Sequence, residues 1–202
     1  WYQRNGRVTT VDELVLEIRR YERFIKVAGG GVTLSGGEPL QQAPFTAAVL
    51  RRCKEMRLHT ALDTSGYLGD RATPELLDET DLVLLDVKSW DPATYRRVTR
   101  TGEVAPTLRF ARRLAERGTP IWIRFVLVPG LTDEVANVAG IADFVATLPT
   151  VQRVEVLPFH RLGAHKYREM GIPYPCADTE PPTRELLDRV RAQFIERGLP
   201  TL

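Results

Sequence analysis

Apolar positions along the chain switch between two spacings. From Val11 to Val27, Leu14, Ile18, Tyr21 and Ile25 fall on one helical face. Thr10 and Glu13 stand where a capping box would open that helix, and Gly29, Gly30 and Gly31 close it. Short apolar runs follow and predict strands at Val32–Leu34, Thr60–Leu62, Leu82–Val87, Ile121–Val128 and Val151–Leu157. Helical spacing returns near Phe45–Met56, Thr94–Arg97, Val104–Glu116 and Val135–Thr147. A last helix, Thr183–Arg197, starts after Pro181-Pro182 and ends near Gly198. The runs LVLLDV and WIRFVLV look continuously apolar, as strands buried on both faces of a parallel sheet do. Alternating strands and helices predict an α/β fold of βα units. Because the first helix has no strand before it, the pattern predicts a partial barrel whose first strand lies upstream of Trp1. An open doubly wound sheet is the alternative.

The chain of 202 residues fits a single domain spanning residues 1–202, and no low-complexity stretch or long linker divides it. A 43% hydrophobic and 27% charged composition is that of a globular protein with a real core. The net charge of +2 gives no global electrostatic support for nucleic acid as a partner. No apolar run has the length of a membrane span, and no signal peptide opens the chain. Cys53 and Cys176 are isolated from each other in sequence and read as free thiols of a reducing cytoplasm.

Polar residues collect at the carboxyl ends of the predicted strands, which form the ligand-binding rim of barrels and open α/β sheets. The first strand leads into Ser35-Gly36-Gly37-Glu38-Pro39, the second into Asp63-Thr64-Ser65-Gly66, and the third into Asp86-Val87-Lys88. Arg124 interrupts the fourth strand, and His160 follows the fifth. Each residue can also be read as purely structural. Gly36-Gly37 can be a tight turn, and Glu38 a first-turn helix carboxylate. Asp63 and Asp86 can be N-caps, and His160 a satisfied core histidine. Trp90 can simply pack on the rim, while His59 and His165 read as structural or surface groups. Taken together, two neighbouring carboxylates call for a cation, and a buried arginine calls for a carboxylate. A ligand bearing both an ammonium and a carboxylate, such as an α-amino acid, answers both needs. The residues alone give no reaction.

VTLSGGEPL resembles the GGE motif of radical S-adenosylmethionine enzymes. In order, ALDTSGY, DLVLLDVKSWD, IWIRFVLVPGLTD and VEVLPFHRLGAHKY resemble segments of the glycyl-radical-enzyme activating family. The resemblance implies a partial (β/α)₆ barrel of the TIM-like type. It also implies reductive cleavage of S-adenosylmethionine by a [4Fe-4S] cluster. The resulting 5′-deoxyadenosyl radical takes a hydrogen from a glycine Cα of the partner enzyme. By motif position, Gly36, Gly37 and Glu38 would contact the methionine amino group, and Asp86, Val87 and Lys88 would line the cosubstrate site. Arg124 would face a carboxylate or the reacting region, and His160 would border the adenosine. Lys88 and Arg124 would thus be catalytic, and Asp63, Thr64 and Asp86 would hold a monovalent cation. The expected partners are a glycyl radical enzyme, with pyruvate formate-lyase as the default, and flavodoxin or ferredoxin as electron donor. The expected state is a cytoplasmic monomer without nucleic acid or membrane.

The family's cluster-binding CxxxCxxC does not occur in this chain. Trp1 and Gly6 match the Trp-x-x-x-x-Gly stretch that follows that motif, so the cluster ligands are expected upstream of Trp1. The 202 residues alone are then expected to be inactive in radical generation. Two other functions fit less of the pattern. One is a non-catalytic module binding S-adenosylmethionine or a partner. The other is an aldolase-like enzyme using Lys88 as an imine-forming amine, which leaves GGE without a role.

Overall fold

The computed structural model describes residues 8–100 and 102–202, so Trp1 and Gly6 lie outside the described residues. Five strands alternate with helices along the chain, as the α/β reading expects. The chain divides into two compact units.

The first unit comprises residues up to Asp86 together with Ala105–Ile121. It holds helix α1 (Val11–Val27), strand β1 (Gly31–Leu34), helix α2 (Ala43–Glu55), strand β2 (His59–Thr64), helix α3 (Pro74–Asp78) and strand β3 (Leu82–Asp86). Thr10 caps α1 by accepting from the Glu13 amide, and Glu13 returns the bond by accepting from the Thr10 amide at 2.8 Å. Only Val15 of α1 is buried. Around Val15, Val49, Cys53, Met56 and Leu58 pack the flanking apolar groups Val11, Leu14, Ile18 and Ile25. Tyr21, assigned from sequence to the same face, is 62% exposed, because the core-facing stripe of α1 runs through Val15 instead. Gly29 ends α1 at φ +62°, whereas Gly31 already belongs to β1.

Strands β1, β2 and β3 pair in parallel, with Leu34 beside Leu62, Asp63 beside Leu84 and Thr64 beside Leu85. Paired residues share a face and successive residues alternate. Leu34, Leu62, Val83 and Leu85 therefore lie on one face, and Thr33, Ala61, Asp63, Leu84 and Asp86 on the other. Helix α3 was not legible in the sequence: it has five residues, too few to show a period, and begins at Thr73-Pro74. Helix α5 (Ala105–Glu116) also belongs to this unit.

The second unit comprises Val87–Val104 and Trp122–Leu202. It contains helix α4 (Pro92–Thr99), most of strand β4 (Ile121–Leu127), helix α6 (Val135–Val145), strand β5 (Val151–Pro158), helix α7 (Ala164–Glu169) and helix α8 (Arg184–Ile195). Strand β4 is not buried on both faces as its apolar run suggested. Ile123, Phe125 and Leu127 are fully buried, while Trp122, Arg124 and Val126 alternate with them and are half-buried. Phe125 packs against Phe194 of α8 with ring centroids 6.1 Å apart. The aromatic face of Trp122 carries the Arg153 guanidinium at 3.9 Å. Among the described residues no helix is long and apolar enough to cross a membrane.

Candidate functional site

In the first unit the loop after β1 carries Gly36, Gly37 and Glu38. Gly36 has φ +137°, a conformation that excludes ordinary L side chains. A Cβ at Gly36 or Gly37 would meet nothing within 4 Å, so the backbone there is open to close approach by a ligand. Glu38 behaves differently from its neighbours. One carboxylate oxygen accepts from the Thr64 hydroxyl at 2.6 Å and the Leu40 amide at 3.1 Å. The other accepts from the Ser65 hydroxyl at 2.6 Å and the Ser65 amide at 3.0 Å. Glu38 thus caps the 3-10 turn Pro39–Gln42 and ties the loop after β1 to the loop after β2. Glu38 therefore stands one position before the first turn, as its N-cap and not as the first-turn carboxylate of the structural reading, and it carries this second bond set as well.

At the end of β2 the face alternation separates Asp63 from Thr64. Asp63 accepts from the Ser35 hydroxyl at 2.9 Å. Thr64 is buried, donates its hydroxyl to Glu38 and accepts from the Gly66 amide at 3.0 Å. Asp86 lies on the face of Asp63, two residues beyond its neighbour Leu84. Neither aspartate is an N-cap. They sit inside β2 and β3, and Thr73 and Asp91 cap the helices that follow. The Thr64 hydroxyl, bonded to Glu38, is thus on the face opposite Asp63 and Asp86.

In the second unit Val87 is fully buried and donates its amide to the Arg124 carbonyl at 3.0 Å. Lys88 and Arg124 are half-buried. His160 is exposed and caps the turn Arg161–Gly163, with Nδ1 accepting from the Leu162 amide at 3.4 Å. In the neutral ring that bond leaves the proton on Nε2, which can donate outward. His59 and His165 are exposed, as expected for surface groups. Trp90 packs on Phe144 with centroids 6.2 Å apart, while 39% of it stays exposed.

The sequence did not point to Ser35, Ser65 or the Thr64 side chain as partners of the rim carboxylates. Serine and threonine are too common for their type alone to signal this, and the bonds join residues 26 to 28 positions apart.

A [4Fe-4S] cluster needs several thiolates close together. Burial pushes the Cys53 thiol above its ordinary range, and that residue lies in the core of the first unit. Cys176 lies in the second unit, and among the described residues no three His, Cys, Asp or Glu side chains group to hold a metal. The described residues do not fit the cluster. The Gly36-Gly37 backbone, by contrast, has open space beside it.

Residues 1–140 match the sequence profile of the radical SAM superfamily. The pyruvate formate-lyase-activating enzyme of Staphylococcus epidermidis is 42% identical over 89% of this chain and 74% of its own length. The pyruvate formate-lyase 1-activating enzyme of Escherichia coli is 37% identical over 98% of this chain and 81% of its own length. Among solved structures, a domain of a pyruvate-formate lyase-activating enzyme from Bacteroides vulgatus superposes with TM-score 0.69 at 28% identity. It covers 86% of this chain and 98% of that domain. A radical SAM methyltransferase from Sphaerobacter thermophilus shares the fold with TM-score 0.68 at 22% identity, over 98% of this chain and 58% of its own.

Proposed function

Since the chain belongs to the radical SAM superfamily and, within it, to the pyruvate formate-lyase-activating enzymes, we propose that the polar groups at its strand ends serve S-adenosylmethionine. Its activity is that of a glycyl-radical-enzyme activase, with S-adenosylmethionine and a [4Fe-4S] cluster as the family's cofactors. No described residue set fits the cluster, so the roles assigned here concern S-adenosylmethionine alone.

In the first unit, the Gly36 and Gly37 backbone receives the methionine amino group. Glu38 holds that backbone in shape: four protein donors occupy its carboxylate. Asp63, Asp86 and the Thr64 carbonyl hold a monovalent cation, which offsets the repulsion between the two aspartates. In the second unit, Val87 acts through its backbone, since its side chain is fully buried. Lys88 and Arg124 present cations to the cosubstrate carboxylate and the reacting region. His160 borders the adenosine and donates through Nε2. The observation that carries this reading is the open, positive-φ glycine pair fixed by Glu38.

The glycyl radical enzyme served is pyruvate formate-lyase, supported by the names of the relatives. Flavodoxin or ferredoxin is the electron donor, and the enzyme works as a cytoplasmic monomer built on one domain. The test is electron paramagnetic resonance on pyruvate formate-lyase. It is incubated anaerobically with the full-length, cluster-reconstituted enzyme, S-adenosylmethionine and reduced flavodoxin. A glycyl radical is expected. No radical there, with one formed on a different glycyl radical enzyme, would move the partner assignment.

A further inference from the structure

We propose that Asn137 is a positioning residue for Lys88, fixing the loop after β3 from which Lys88 reaches S-adenosylmethionine. Asn137 is the third residue of α6, VANVAGIADFV, and is 2% exposed; the helix's other polar side chain, Asp143, is exposed. A buried polar group in such a setting is costly unless every hydrogen-bonding atom is used. Here both are. The amide oxygen accepts three bonds from consecutive residues: the Ser89 hydroxyl at 2.7 Å, the Trp90 amide at 2.8 Å and the Asp91 amide at 3.0 Å. The amide nitrogen donates to the Thr132 carbonyl at 2.8 Å. Thr132 in turn donates its hydroxyl to the Val126 carbonyl at 2.9 Å and accepts from the Val128 amide at 2.8 Å.

One side chain therefore fastens the loop after β3 to the end of β4. Lys88 sits between two fixed points. On one side the Val87 amide bonds the Arg124 carbonyl, and on the other Ser89, fully buried, bonds Asn137. Asparagine is the residue this geometry requires. Leucine would leave the Trp90 and Asp91 amides without their acceptor, and aspartate would set an oxygen against the Thr132 carbonyl. Asn137 itself touches no ligand; it acts through the backbone on either side of Lys88. The inference rests on Lys88 contacting S-adenosylmethionine, as proposed above.

The test measures the S-adenosylmethionine dissociation constant by equilibrium dialysis, and the melting temperature, on the full-length, cluster-reconstituted enzyme and its variants. Asn137→Ala is expected to weaken binding about tenfold, as misplacement of a positioned group does. Its KM for S-adenosylmethionine should rise by more than kcat falls. Asn137→Asp keeps the triple acceptor and puts an oxygen against the Thr132 carbonyl in place of the bond there. It is expected to bind within about threefold of wild type even though it melts lower, so that affinity follows the acceptor and not stability. Ser89→Ala, which removes one donor and serves if Asn137→Ala does not fold, is expected to weaken binding about threefold at nearly unchanged melting temperature. Unchanged affinity in Asn137→Ala, or in Ser89→Ala, overturns the proposal and leaves Asn137 a packing residue. In the same series Lys88→Ala should weaken binding. Unchanged affinity there overturns the Lys88 contact itself, and this proposal with it.

Discussion

Glu38 illustrates how a motif residue can shape the loops around it through the protein's own bonds. Each carboxylate oxygen already accepts two protein donors, so a ligand ammonium would have to displace one of them. Replacing the carboxylate with an amide turns one acceptor into a donor facing other donors. Glu38→Gln should therefore lower stability by about 1–3 kcal/mol, read as a drop in thermal or urea midpoint. It should also weaken S-adenosylmethionine binding, since Gly36 and Gly37 lose their anchor. A variant that keeps full stability would show that the four bonds contribute nothing net. The placement of glycines, carboxylates and a lysine at strand ends was legible in the sequence because they recur at the ends of successive apolar runs. Their supports were not. Thr64 and Ser65 look like any turn residues, and Asn137 is one of two polar letters in a mostly apolar helix, its significance revealed only by its three donors.

Apart from the short helices α3 and α7, the elements followed from sequence with small shifts at their ends, because periodicity and caps act locally. Thr10 and Glu13 form the capping box that their spacing predicts, and Thr10→Ala should cost about 1 kcal/mol, measurable as a lower melting temperature. Longer-range constraints were hidden. Gly31 looked like part of a helix stop, yet it lies in β1, where a Cβ would come within 2.5 Å of the His59 carbonyl oxygen. Gly31→Ala must push β1 away from β2, and a loss of about 1–3 kcal/mol is expected in denaturant titration. The alternation in β4 was equally invisible: Trp122 and Val126 are apolar letters at half-buried positions, so the run read as buried on both faces.

Asp81 joins three elements of the first unit. It bonds Lys54 of α2 at 2.6 Å and the amide and hydroxyl of Thr60 in β2 at 2.9 and 3.0 Å, at the entrance to β3. Burial alone would raise its pKa. The Lys54 ammonium and the two Thr60 donors more than offset this and hold the carboxyl below its ordinary range. A depressed folded pKa contributes stability above the unfolded value of about 4, and that contribution is lost as pH falls through the folded value. Stability should therefore decline with acid from about pH 4 downward. Asp81→Asn, less stable at pH 7, should lose less over that interval. Equal acid slopes in the two proteins would contradict this.

At the scale of the whole molecule, family membership and the strand-end chemistry agree. The match covers most of the length of the relatives that carry the activase name, and the polar residues of both units lie at or just beyond strand ends, apart from Arg124 within β4. Fold class was open to sequence reasoning because βα alternation repeats along the whole chain. The reaction was open only through resemblance, since carboxylates, glycines and an arginine specify a zwitterion and not what happens to it. The most direct measurement follows the transferred hydrogen. Pyruvate formate-lyase carrying deuterium on its glycine Cα atoms is incubated anaerobically with the full-length, cluster-reconstituted enzyme, S-adenosylmethionine and a reductant. The account predicts one deuterium in the 5′-deoxyadenosine released; intact S-adenosylmethionine, or unlabelled 5′-deoxyadenosine, would contradict it.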